Sequence, residues 1–248
     1  MPHILQWGDF VLKRISARYI SFFVAIIFAF VLVAVNLNAG RDFAAVSAEI
    51  NNAMVIIDAG HGGEDGGAVN EQGVSEKDIN LDIARKLEKT LNLFGIMTAM
   101  TRTDDSALGQ RDLATTRMRK VSDMRARVEK VINTTGADLI SIHQNSFPQD
   151  KSCFGAQVFY SSGNVHSKKL AELVQRCLKE TLDVKNDRTE KEAGKNIFLL
   201  NSVNCPAVLV ECGFLTNEAE SKLLLNEGYK IKIAAGIAAG YLKFKCEK

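Results

Sequence analysis

From Met54 onward, short β-branched runs alternate with amphipathic stretches, and three of those runs end in a residue able to bind a metal or move a proton. The runs MVIID (54–58), IMTAM (96–100), ADLISIH (137–143), AQVFY (156–160), IFLL (197–200) and AVLVE (207–211) read as strands. Between the first two, Ser75 opens a helix to about Phe94, with Asp78 at capping-box spacing. Ile79, Ile83, Leu87 and Leu91 recur every fourth position and form its buried stripe; Gly95 ends it. Further helices are predicted over about 110–134, stopped by Gly136, and over about 165–183. A short one capped by Asn217 carries Leu223 to Leu225, and a last one runs from about Tyr229 to Phe244. Such alternation predicts one α/β domain: a mostly parallel, mixed central sheet of about six strands flanked by helices.

The region before that domain has a different composition. Residues 19–40 contain no Asp, Glu, Lys or Arg and include ISFFVAIIFAFVLVAVNL, near the lower length limit for a membrane-spanning helix. Lys13, Arg14 and Arg18 precede it, and positive residues stay cytoplasmic, so the chain after residue 40 is expected outside. This divides the chain into a short cytoplasmic basic segment (1–18), a transmembrane anchor or signal segment (19–40), a tether (41–53) and the α/β domain (54–248). The alternative is a signal peptide cut after Val46-Ser47-Ala48, which leaves a secreted protein. Both readings export the domain. The net charge of +2 argues against nucleic acid as a partner, because phosphate binding needs concentrated positive charge. Five cysteines without a CxxC pair read as small buried hydrophobes.

The chemistry is expected where strands end. The first strand runs into Asp58-Ala59-Gly60-His61, the third ends in His143 and the last in Glu211. If these strands are parallel, their carboxyl ends converge on one sheet edge. Glu76, in the first turn of the following helix, faces that same edge. Two imidazoles and a carboxylate from separate elements leave a coordination position open, as catalytic zinc requires. Spacing alone leaves open which glutamate would bind. In DAGHGGEDGG the glycines let backbone crowd around His61; no GK[ST] follows, so a phosphate loop is not indicated. Glu64 and Asp65 are possible ligands there, but read better as flexible side chains. His3 and His166 carry no such pattern.

Five segments, VIIDAGHGGEDGGAV, SEKDINLDIARKL, MTRTDD, ADLISIHQNSF and PAVLVECGFLTN, resemble in order the zinc-dependent N-acetylmuramoyl-L-alanine amidases of the amidase-3 family, over 54–244. The resemblance implies that His61, Glu76 and His143 bind Zn²⁺, that Glu211 is the catalytic carboxylate and that Arg102 is structural. Gln144 and Cys212 stand where the family commonly has a small residue and Thr; Cys212 reads as packing, not as a nucleophile. The arrangement of one hydrophobic segment and one catalytic domain resembles the CwlD-type amidases of endospore formers. That likeness implies peptidoglycan as substrate, a role in spore cortex maturation and germination, and a peptidoglycan deacetylase that then forms muramic δ-lactam. An exported accessory protein is a further possible partner. The rival expectations are a vegetative amidase of division or turnover, a zinc peptidase or deacetylase (HExxH is absent), and a non-catalytic peptidoglycan-binding scaffold.

Overall fold

A computed structural model of the chain describes residues 53–183 and 185–247. The expected basic segment, the apolar segment 19–40 and all of the tether except Ala53 lie outside the described residues. Among the described residues, no helix is long and apolar enough to cross a membrane.

In chain order the elements are β1 (Met54–Ala59), α1 (Glu76–Leu93), β2 (Met97–Met100), α2 (Thr116–Ile132), β3 (Ala137–Asn145), β4 (Gln157–Tyr160), α3 (Ser167–Leu182), β5 (Lys191–Glu192), α4 (Phe198–Asn201), β6 (Ala207–Phe214), α5 (Glu218–Leu224) and α6 (Glu227–Cys246). The six strands form one sheet in the order β2-β1-β3-β6-β4-β5. β2, β1, β3 and β6 run parallel, while β4 pairs antiparallel with β6 and parallel with β5. The expected mixed α/β sheet is therefore present, with its reversal on one side.

Three local expectations fail for identifiable reasons. IFLL is not a strand: Phe198–Asn201 is a single helical turn, and the sixth strand is the exposed pair Lys191–Glu192. A run of four apolar residues has the same periodicity in either state. The charged helix begins at Thr116, where the Thr115 hydroxyl accepts from the Met118 amide at 3.2 Å; 110–115 is loop. Ser75 occupies the N-cap position of α1 but makes no side-chain cap bond. The glycine loop supplies the acceptors instead, since the Glu76 amide donates to Ala68 O (2.8 Å) and that of Lys77 to Gly66 O (3.1 Å).

Asn217 does cap α5, its Oδ1 accepting from the Glu220 amide at 3.0 Å. Asn217→Ala is expected to cost about 1 kcal/mol, a fall in Tm of roughly 3 °C by calorimetry. An unchanged Tm would mean that the cap contributes nothing.

The two sheet faces are covered unequally, and this positions the site. On one face, Val55, Ile57, Ile140, Ile142, Val208 and Val210 pack beneath α1, α3 and α6 in the larger core. On the other, Ile56, Leu139, Ala207 and Leu209 meet Val131 of α2 and Leu199 and Leu200 of α4. Each fully buried aliphatic side chain contributes ~1.5–3 kcal/mol. Because α4 is one turn long, this second face stays open toward the carboxyl ends of the strands. Period-two alternation puts Asp58, Ser141, His143 and Glu211 on that open side, with Asp58 level with Ser141 and His143 level with Glu211.

Candidate metal centre and active-site groove

The loop after β1 is held by two arginines. Arg102 donates from Nε to Ala59 O (2.9 Å) and from one terminal nitrogen to Gly60 O (3.1 Å) and Lys77 O (2.8 Å), a structural role as expected. Arg127 reaches from α2 to Ala59 O (2.8 Å) and His61 O (2.6 Å). Thus pinned, His61 takes φ 63°, the one positive φ of a non-glycine residue among the described residues. A left-handed backbone costs a residue with a Cβ free energy and persists where the surroundings impose it. Two glycines make room for the side chains. A Cβ on Gly60 would lie 2.3 Å from the His143 ring; on Gly67 (φ 68°), 2.5 Å from Glu76 Oε2.

Glu76 lies between both imidazoles. His143 Nδ1 is 3.0 Å from its Oε1, and His61 Nε2 is 3.3 Å from its Oε2. The two rings meet edge to face with centroids 5.0 Å apart. One potential ligand atom from each of His61, Glu76 and His143 lies within 4.8 Å of the others. The carboxylate is further fixed by the amides of Gln144 (3.0 Å) and Ala68 (2.9 Å) and by Asn80 Nδ2 (3.3 Å). Burial would raise the pKa of Glu76, but the bonds from His143 and His61 hold it well below the carboxylate range. Burial likewise pulls His61 down, yet bonds to Asp65 and Glu76 outweigh it and raise its pKa to about 9. The cluster therefore draws positive charge to itself.

Asp65, expected as a flexible side chain, is instead ordered: its Oδ2 is 2.8 Å from His61 Nδ1, and its Oδ1 is 2.7 Å from Lys120 Nζ. Its spacing of four from His61 was the available signal. Asp58 makes no hydrogen bond to His61; it accepts from Arg127 (2.5 Å), Ser141 (2.6 Å) and Thr101 (2.8 Å).

Glu211 projects from β6 into the groove, and its buried Oε2 has no hydrogen-bond partner among the described residues. Burial pushes its pKa up to about 7; the charge of Glu76 adds to this and His143 opposes it. Gln144 turns its amide nitrogen to Asn80 Oδ1 (3.1 Å). Cys212 is fully buried, and burial pushes its thiol far above the usual range, which suits packing and not attack. None of the five cysteines is in a disulfide.

A groove of about 930 Å³ opens from these residues across the second sheet face, between the first turns of α2 and the segment 194–199. His61, His143 and Glu211 lie in its lining, with Arg111, Arg119 and Lys120 on one side and Ile197 and Phe198 on the other. Such a groove suits a polymer better than a small metabolite. The expected His61, Glu76, His143 and Glu211 thus come together from four elements. The groove walls and the Asp65 and Arg127 contacts were not read from the sequence.

A family model described as N-acetylmuramoyl-L-alanine amidase matches residues 55–243. The chain belongs to that family. It is accordingly an amidase of peptidoglycan, and within the family it is CwlD-like. The germination-specific N-acetylmuramoyl-L-alanine amidase of Bacillus subtilis (strain 168) is 33% identical over 236 residues, 95% of this chain and 98% of that one. Among solved structures, the CwlD amidase from Clostridioides difficile, in complex with the GerS lipoprotein, is 42% identical with a TM-score of 0.75. The match spans 78% of this chain and 98% of that one. An N-acetylmuramoyl-L-alanine amidase from Clostridium difficile 630 is 33% identical, TM-score 0.67, over 78% of this chain and 97% of that one.

Proposed function

We propose that this amidase is zinc-dependent, with His61, Glu76 and His143 as ligands and Glu211 as the proton carrier, and that it acts on spore cortex peptidoglycan. The observation that carries the chemical part is the Glu76 carboxylate between two imidazoles, in a groove shared with a buried Glu211 oxygen that has no partner among the described residues. Two imidazoles and a carboxylate are a donor set that suits zinc, and the pull of the cluster on positive charge fits a divalent cation. Bound there, zinc supplies Lewis acidity: it acidifies water and polarises a carbonyl.

The protein's own residues do the rest. The bond cut joins the lactyl carbonyl of N-acetylmuramic acid to the amino group of L-alanine. Glu211 takes a proton from the attacking water and returns it to the departing alanine nitrogen. A carboxyl with its pKa raised toward neutrality suits both halves of that transfer. Asp65 holds the His61 ring through Nδ1, leaving Nε2 toward Glu76, and Asn80 with the Gln144 amide keeps Glu76 from turning away.

The cortex role is supported by the similarity to a germination-specific amidase across nearly its whole length. It implies a deacetylase that consumes the peptide-free muramic acid to form muramic δ-lactam. The uncharged segment 19–40 supports export with membrane anchoring. The complex of the CwlD relative with a lipoprotein supports an exported accessory protein here as well.

Metal analysis of the purified full chain and mass spectrometry of digested peptidoglycan test this reading. About one zinc per chain is expected. It should be lost in His61→Ala, His143→Ala and Gly60→Ala, and the digest should release stem peptides that begin at alanine. Peptides cut internally, or intact zinc in both histidine variants, would overturn the assignment. A deletion strain that still makes muramic δ-lactam would end the cortex role.

A further inference from the structure

The geometry points to a groove that fixes the direction in which its substrate lies: the sugar seats on the α4 side against Phe198, and the stem peptide crosses to the α2 side, where Arg111 takes a carboxylate. The inference rests on the amide substrate of the proposed function. Cutting a bond between a sugar acid and a peptide requires a seat on each side of the reacting carbonyl, and the two seats must differ in chemistry.

Phe198 is 47% exposed, yet it is not a loose surface residue. Leu199 and Leu200 anchor its single helical turn in the core beneath the sheet's second face. Asn201 Nδ2 donates to Gly194 O and Ile197 O, both at 2.9 Å, closing the loop onto the turn. The aromatic ring is thereby held out in the groove lining beside Ile197. A pyranose has an apolar face of axial C–H groups, and a fixed, water-exposed ring is the surface that matches it. A free phenylalanine in water has no stabilising reason to be so firmly mounted.

The opposite wall is cationic but mostly neutralised. Arg119 is engaged by Glu64 Oε2 (2.8 Å), Leu113 O (2.6 Å) and Thr116 Oγ1 (3.2 Å), and Lys120 by Asp65. Arg111 is exposed and has no ion-pair partner among the described residues. It is the charge left for a ligand, and a guanidinium takes a carboxylate in bidentate fashion. Stem peptides carry carboxylates beyond the first alanine, whereas the sugar side carries none.

Three substrates separate the two seats: a disaccharide bearing an acidic stem peptide, the same peptide on lactic acid without the sugar, and the disaccharide peptide with its side-chain carboxylates amidated. With the full-length chain, Phe198→Ala should raise KM about tenfold for sugar-bearing substrates, leave kcat near wild type and leave the sugar-free substrate unchanged. Arg111→Gln should raise KM about tenfold for the acidic peptides and leave the amidated one unchanged. Titration with the disaccharide alone, a readout free of turnover, should show tenfold weaker binding by Phe198→Ala. Should that variant melt early, Phe198→Leu, which keeps the core turn and removes the aromatic face, carries the test. Equal effects on sugar-bearing and sugar-free substrates, exchanged roles of the two residues, or no effect of either overturn the inference. A wild-type chain that binds the disaccharide through Phe198 but leaves the amide uncut sinks the proposed function and keeps the seat; cleavage indifferent to Phe198 does the reverse.

Discussion

Glu211→Gln should lower kcat by about 10³-fold, within the range for removing a general base, while zinc content stays at the wild-type level. The substitution is isosteric, so β6 and the groove floor keep their shape. What is lost is the ability of a buried carboxylate to accept and return a proton. Among the described residues its Oε2 makes no hydrogen bond, so no structural contact of that oxygen disappears with the charge. KM should change little, because the missing interaction belongs to the transition state and not to the bound substrate. Glu76→Gln is the contrasting variant. Its carboxylate accepts from Ala68, Gln144 and Asn80 and faces both histidines, so an amide there turns two acceptors into one and the metal should be lost. Metal content measured beside single-turnover rates distinguishes the two glutamates. If Glu211→Gln came out metal-free and Glu76→Gln loaded, the roles would be exchanged.

That contrast marks how far the sequence could be read. β1, β3 and β6 were legible because β-branched runs ended at glycine or at polar residues, and the convergence of His61, His143 and Glu211 followed from parallel strands. β5 was invisible: two exposed charged residues at a sheet edge have no hydrophobic pattern. The run IFLL at Phe198 has the pattern of a strand, so the groove wall that it forms as a helical turn is not visible in the sequence. Arg127 is more instructive. Among the many charges of α2 nothing in composition sets it apart, yet it stands in line with Met124, Val128 and Val131 at helical spacing, inside the stripe that faces the core. A charged residue in that position signals a buried partner, and Asp58, a strand-end carboxylate, was the available one. Asp65 shows the opposite limit. Neighbouring glycines suggested freedom, but its hydrogen bond to His61 and ion pair with Lys120 are tertiary facts that composition does not carry.

Arg127→Met should destabilise the domain by about 3–5 kcal/mol, a fall in Tm of roughly 10 °C, because it strands the Asp58 carboxylate in the core. Both partners are nearly inaccessible, at 1% each. Burial alone would raise the pKa of Asp58, but Arg127, aided by the Ser141 hydroxyl, His143 and the Thr101 hydroxyl, brings it down to about 2 from 3.8. A folded pKa below the unfolded one contributes stability that is fully present above the unfolded value. That stability, about 2 kcal/mol for this shift, is lost as the pH falls from 3.8 toward 2. In Arg127→Met the carboxyl's pKa rises, so the acid loss of stability that Asp58 contributes in wild type should disappear. The variant's deficit relative to wild type should shrink as the pH falls and Asp58 is protonated. Asp58→Asn with Arg127→Met should cost less than the sum of the single changes, as coupled neighbours do. The effect should also reach the groove. Arg127 donates to His61 O at 2.6 Å, and that bond helps hold the left-handed backbone of His61. Releasing it lets the loop relax and weakens zinc binding, whereas Asn217→Ala, at a residue that takes part in none of these contacts, lowers Tm and leaves zinc in place. Equal zinc affinity in wild type and Arg127→Met, measured by chelator competition on folded protein, would confine Arg127 to stability and leave the geometry of His61 to Asp65 and Arg102.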